Sequence, residues 1–251
     1  MVIAEAAPPA AIQRSSDHRY TFDGVTYPGV TGILGVLDKS GPLMAWAARN
    51  TAEAAIAQIP NLASLLETVG AEGVVKALTS RAGWKRDEAA NLGTVVHGLA
   101  DDLVNGRPLP GMDEPIAKRV QLYADWWARS GWTLRVSEAC VVHPDFGYGG
   151  TFDLLARDRD GRTVLADIKT GKGVYREAVL QLTAYGLAKF VAPMGSPLAY
   201  PMPAIDRYVI LHVTADECEE VECSVGDLER LAWLGCLDLH RWSEATKGKK
   251  L

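Results

Sequence analysis

Asp153, Asp167 and Lys169, followed by Gln181 and Tyr185, are the residues of this 251-residue chain whose types and spacing could do chemistry. Two carboxylates and a lysine on adjacent strands can hold a divalent cation beside an activated water, which is the chemistry of metal-assisted phosphodiester hydrolysis. Period and turn place them. Residues 151–157 and 163–169 read as strands, and the Asp160-Gly161 pair between them is a hairpin signal. If Arg159-Asp160-Gly161 form a three-residue loop with Gly161 left-handed, Asp158 pairs with Arg162 and Asp153 lies opposite Asp167 on one face. Lys169, two residues beyond Asp167, projects from that face as well. A two-residue loop would put Ile168 opposite Asp153 and break the site. The plain alternative is an acidic hairpin with a solvated face, and Asp-x-Lys alone is a weak signal.

The elements around the hairpin add candidates. Leu134, Val136, Glu138, Cys140 and Val142 alternate along one side of a preceding strand, where Glu138 interrupts an apolar row. A charge there is costly unless it is paired or bound to metal. His97 lies in a helical pattern over 84–104, on the same face as Gly93, where the helix can approach another backbone closely. A lone helical histidine is usually structural, but a neutral imidazole can add a nitrogen ligand to a carboxylate site and suits manganese as well as magnesium. Gln181 and Tyr185 share a face of a helix over 175–191, able to orient the lysine, the water or a phosphate, or simply to edge an amphipathic helix.

Elsewhere the pattern predicts a small hairpin over 20–27 around Asp23-Gly24, and helices over 42–58, 62–78 with a break near Gly70, 114–130 and 225–245. Strands are expected at 207–214 and 219–223, and a Pro- and Gly-rich loop at 193–203. Trp127 is expected in the core, with the neighbouring Trp126 left open to packing or to stacking on unpaired bases.

The order Gly93-Thr94…His97, Gly150…Asp153, Asp167…Lys169-Thr170-Gly171 and Gln181…Tyr185 resembles the RecB-like, CRISPR-associated-exonuclease-like branch of the PD-(D/E)XK nuclease superfamily. The segment Arg19-Tyr20…Gly24…Tyr27-Pro28-Gly29-Val30-Thr31…Ile33-Leu34 is similar to the N-terminal part of phage and mitochondrial genome-maintenance exonucleases in that branch. The resemblance implies an α/β, restriction-endonuclease-like core, a central mixed sheet flanked by helices, with an N-terminal helical elaboration. It implies that His97, Asp153, Asp167 and the Ile168 carbonyl ligate Mg²⁺ or Mn²⁺, that Lys169 steers the water, and that Gln181 and Tyr185 support it. The activity implied is a DNA exonuclease of phage or bacterial recombination, replication or repair, acting on single strands or DNA ends and leaving a 5′-phosphate. The alternatives are an endonuclease of the same fold, or a non-catalytic module that binds DNA ends or works only with a recombination or helicase partner.

Bulk properties discriminate less. With 48% hydrophobic and 23% charged residues, positions 16–251 read as one domain: a hairpin and helical part over 16–110 and the nuclease core over 111–251. Residues 1–15, rich in alanine and proline, are expected to be disordered. A net charge of −5 gives no global basic field, so DNA contact would rest on a local groove, for which Lys85, Arg86, Lys172 and Arg176 are the candidates. The chain shows no signal peptide and no apolar run of membrane-spanning length, so a cytoplasmic location, the host's if phage-encoded, and reduced cysteines are expected. An iron–sulfur cluster, which some relatives carry on one cysteine before the core and three grouped after it, is not expected on Cys140, Cys218, Cys223 and Cys236, which lack a C-x-x-C.

Overall fold

The computed structural model describes residues 11–249, without the side chains at positions 81, 82, 85 and 86. In chain order the strands and helices are β1 (Gln13–Arg14), β2 (Tyr20–Phe22), β3 (Val25–Tyr27), α1 (Val30–Ile33), α2 (Ser40–Gln58), α3 (Leu62–Val104), α4 (Glu114–Ser130), β4 (Thr133–His143), β5 (Tyr148–Arg157), β6 (Thr163–Lys169), α5 (Arg176–Leu187), β7 (Phe190–Pro193), β8 (Tyr200–Pro201), β9 (Arg207–Val213), β10 (Cys218–Cys223) and α6 (Asp227–Thr246). The chain divides into two compact units, 37–94 on the one hand and 1–36 with 95–251 on the other. The hairpin and the His97 end of α3 thus fall with the sheet rather than with the helical part in which residues 16–110 place them. The helical unit holds α2 and most of α3, whose helical dihedrals break at Gly70 (φ 71°), as the glycine there leads one to expect.

The sheet unit is built on seven strands in the order β10-β9-β6-β5-β4-β7-β8. It is mixed: β6 runs parallel to β9, and the other pairings are antiparallel. Proline in the first turn starts α4, and left-handed Gly131 (φ 69°) ends it. On one face Tyr123 and Trp126 of α4, with Ala100 of α3, close over Leu154, Ala156, Ala166, Ile168 and Leu211. The other side carries α5 and α6, where Trp233 meets Tyr148 edge-on at 5.0 Å and the Tyr148 hydroxyl donates to the Ala184 carbonyl at 2.8 Å. Tyr20 and Phe22 of the small three-stranded sheet cover Cys140, Val142 and Ala192.

Several local expectations give way to tertiary packing. Residues 11–15 are not disordered: Ile12 is buried and Gln13 and Arg14 pair with β2, while the first ten residues lie outside the described ones. Helix α5 stops at Leu187 because Ala188 turns extended, and Val191 enters β7, where it pairs with Val141. The 193–203 loop is partly strand, Tyr200 pairing with Val191. Trp127 packs half-buried against the α4 cluster as expected, and Trp126, open to either role in the sequence, is buried in it, edge-on to Trp132 at 5.0 Å, a partner that lies beyond the helix. No helix among the described residues is long and apolar enough to cross a membrane.

Candidate metal centre

The β5–β6 hairpin fixes the first half of the site. Gly161 is left-handed (φ 79°), its N–H donates to the Asp158 carbonyl, and the Asp158 N–H donates to the Arg162 carbonyl, each at 3.0 Å. The ladder runs Arg157 opposite Thr163 through Leu154 opposite Ala166, the three-residue-loop register. One step further stand Asp153 and Asp167. There the main-chain ladder stops, and an Asp153 carboxylate oxygen accepts the Ile168 N–H at 2.6 Å.

Asp153 also marks a slip in the sheet. Gly150 lies against Tyr185 of α5, where a Cβ would sit 2.4 Å from the ring, whereas Leu154, of the same parity, packs with Tyr123 and Trp126 of α4. Opposite Asp153 in the β4–β5 register is Glu138, whose φ of 47° is rare for a residue with a side chain. The strand register also shifts between Leu134 and Val136. The row from Leu134 to Val142 therefore does not share one side: Leu134 packs in the α4 cluster, and Cys140 and Val142 pack under the small sheet. Sequence parity cannot register an inserted residue.

The slip gathers three donors. One ligand atom each of His97, Glu138 and Asp153 lies within 4.8 Å of the others. His97, from the end of α3, places Nδ1 3.2 Å from Asp153 Oδ1. Asp167 lies beneath, 3% exposed, with Lys169 Nζ at 2.5 Å from its Oδ2. Lys169 also donates to the Gln181 carbonyl oxygen at 3.2 Å, and the Gln181 amide donates to the Tyr185 hydroxyl at 2.8 Å. Gly150 is what admits the Tyr185 ring. The Ile168 main chain enters the site through its N–H.

Charge is unevenly matched here. Burial disfavours imidazolium, yet Asp153, with help from Asp167, overcomes it and holds His97 at about 9. Burial and the Asp153 charge push Asp167 up to about 6, and the same two causes push Glu138 to about 7. Burial opposes ionisation of Asp153 too, but His97, Lys169 and the Ile168 N–H keep its carboxyl below the usual range. Burial likewise opposes the Lys169 ammonium, and Asp167 and Asp153 more than restore it. Three carboxyls thus face one lysine and one histidine, and the position Nδ1 occupies favours positive charge. An imidazole nitrogen with carboxylate oxygens is a donor set for a divalent metal ion. The residues present fit a divalent cation.

Of the four candidates for a DNA groove, two have described side chains. Lys172 and Arg176 are exposed at and before the start of α5, and the side chains of Lys85 and Arg86 lie outside the described residues. The four cysteines are free and spread over β4, β10 and α6. Asp101, which sequence reasoning does not single out, adds its charge to the field on Glu138. Its signal was the spacing of one helical turn from His97.

No family model matches the chain, and no curated protein matches it. Among solved structures, "Crystal structure of SSO0001" is similar at 13% identity and a TM-score of 0.30, over 60% of this chain and 86% of that one. A likeness of that size carries no inference about fold or function.

Proposed function

We propose that the chain is a divalent-metal-dependent deoxyribonuclease, an exonuclease by its resemblance, acting on single strands or DNA ends in phage or bacterial recombination, replication or repair. On this reading the seven-stranded sheet is a restriction-endonuclease-like core, since it is central, mixed and flanked by helices. The observation that carries the proposal is the convergence of His97, Glu138 and Asp153 beside the buried Asp167–Lys169 pair. The first three would hold Mg²⁺ or Mn²⁺, with Asp167 completing the negative wall. Such a cation lowers the pKa of water and offsets charge that grows on a phosphate.

The chain's own residues supply the rest. Lys169 is held protonated by Asp167, so it acts as a donor and not as the base. Its ammonium orients the attacking water and steadies a phosphate oxygen. Gln181, anchored by Tyr185, fixes the direction of that ammonium. In the net reaction the water oxygen bonds to phosphorus while the phosphorus–O3′ bond breaks, leaving a 5′-phosphate and a 3′-hydroxyl.

The test is one assay on end-labelled single-stranded, duplex and closed circular DNA with Mg²⁺, Mn²⁺ or EDTA. Metal-dependent loss of the linear strands with the circle spared is the expected result, and the label position gives the direction of attack. A cut circle would make the enzyme an endonuclease. Folded protein that cuts nothing would overturn catalysis by the isolated chain.

A further inference from the structure

The cation centre has an open flank. Strand β7 pairs with β4 only from Ala139 to Val142, so the β4 edge before Ala139 carries no strand partner on that side. A cleft of about 270 Å³ lies along this edge, lined by Arg135, Ser137 and Glu138 of β4, Asp101 and Arg107 around the end of α3, and Met194 after β7. Asn105 ties the two sides together, its amide donating to the Ser137 hydroxyl at 2.8 Å. Glu138 belongs both to this cleft and to the donor group with His97 and Asp153, so the cleft leads to the centre.

Arg14 approaches the same glutamate from the small sheet. It stands opposite Tyr20 in the β1–β2 register, and Ile12, two residues earlier, is buried in a cluster with Cys140 and Val142. Residues two apart on an extended chain share a face, so Arg14 projects from the face that covers the large sheet. Tyr20 shows where along that sheet this happens. Its hydroxyl is 3.0 Å from Thr151 Oγ1, and Thr151 pairs with Cys140, two residues from Glu138. The charge of Arg14 accordingly favours the ionised forms of Tyr20, Cys140 and Glu138 alike.

These two arginines differ from the other cations around the centre in being unbalanced. Lys169 is held by Asp167, and Arg107 by Asp101 and Asp102. Arg14 instead donates to a neutral acceptor, His18 Nδ1, at 2.7 Å. Arg14 and Arg135 are both exposed, and neither has a carboxylate partner among the described residues. A guanidinium left free in this way presents a planar fork of donors that fits phosphate oxygens. A polyanionic strand would otherwise be repelled by the carboxyls it must approach.

We propose that Arg14 and Arg135 bind backbone phosphates next to the scissile one, so that the substrate strand runs through the cleft past Glu138. The proposal rests on the nuclease reading. Fluorescence anisotropy of the full chain with a labelled single-stranded oligonucleotide, in Ca²⁺ and over a salt series, is the test. Arg14→Ala and Arg135→Ala should each weaken binding about three- to tenfold and lower the slope of log affinity against log salt by about 0.7, the value for one phosphate on a single strand. Arg14→Lys and Arg135→Lys should keep the wild-type slope. In cleavage with Mn²⁺ the alanine variants should raise KM and leave kcat within about twofold, the mark of lost uniform binding. They should bind Mn²⁺ no more weakly by calorimetry, because each has lost a positive charge near the centre. An oligonucleotide with one neutral methylphosphonate linkage, moved along the strand, should find one position that weakens wild type but not Arg14→Ala, and another that weakens wild type but not Arg135→Ala. Unchanged affinity and salt slope in both alanine variants, with a wild type that binds and cuts, would overturn this proposal and leave the nuclease reading standing. An effect at one arginine alone would overturn the assignment of the other. Weaker Mn²⁺ binding would make the arginine a structural part of the centre and overturn its role as a phosphate ligand. A wild type that neither binds nor cuts DNA would overturn both readings.

Discussion

The β5–β6 hairpin buries a carboxylate at each of its ends, and Asp158 at the turn and Asp167 at the open end titrate in opposite directions. At the turn, Asp158 accepts the Asp160 N–H at 3.0 Å, the Arg162 N–H at 2.9 Å, Arg162 Nε at 2.9 Å and Arg207 Nη1 at 3.1 Å. Burial favours its neutral form, but those donors outweigh burial and hold its carboxyl below the ordinary 3.8. At the open end, burial and the Asp153 charge push Asp167 to about 6, and Glu138 of neighbouring β4 to about 7. Burial is common to both ends, so what separates them is the supply of donors. Asp158 is saturated with donors, and so is Asp153 by His97, Lys169 and the Ile168 N–H, whereas Asp167 and Glu138 are left short of positive charge.

Breaking the open end should cost activity and not fold. Asp153→Ala is expected to abolish metal-dependent cleavage, a loss of about 10³-fold or more. Its thermal unfolding in EDTA should remain cooperative. Lys169→Ala should slow single-turnover cleavage by about 10²- to 10³-fold while DNA binding, measured by anisotropy, is retained. Wild-type rates in that variant would remove Lys169 from its role.

Breaking the turn should do the reverse. Asp158→Ala removes one partner each from exposed Arg162 and half-buried Arg207 and leaves the Asp160 and Arg162 N–H groups without their acceptor, and should cost about 1–2 kcal/mol in urea unfolding, with turnover per folded molecule unchanged. The pH dependence follows from the sign of the shift. A depressed carboxyl contributes stability that is present above 3.8 and lost as pH falls through its folded value, so wild type should lose stability there faster than Asp158→Ala. Glu138→Gln sharpens the contrast, because it removes a charge that its surroundings repel. In EDTA it should melt no lower than wild type, while calorimetry should show weaker Mn²⁺ binding. Tyr185→Phe has the smallest expected effect, about tenfold in rate or less, as it removes one hydrogen bond that steadies Gln181.

Much of the hairpin was legible because its constraints are local. An Asp-Gly turn and a period of two fix the register, and the register brings Asp153 level with Asp167. The i, i+4 spacing of Gln181 and Tyr185 likewise suffices to predict that they can meet, and they do. What lay beyond sequence is the slip at Asp153. It depends on a left-handed Glu138 and a register shift in the neighbouring strand, and no residue pattern announces a positive φ at glutamate. The burial of Trp126 beside Trp127 was hidden for a similar reason, since Trp132, which packs on it, lies after the helix. The end of α5 is not legible either, because Val191 suits a helix or a strand, and pairing with Val141 decides for the strand.

Anomalous diffraction from a crystal soaked in Mn²⁺ tests the central claim most directly. The expected result is a peak among His97 Nδ1, Glu138 and Asp153, with none at Asp158. A peak elsewhere, or no peak in this centre at saturating Mn²⁺, would contradict the reading of the open end as a cation site.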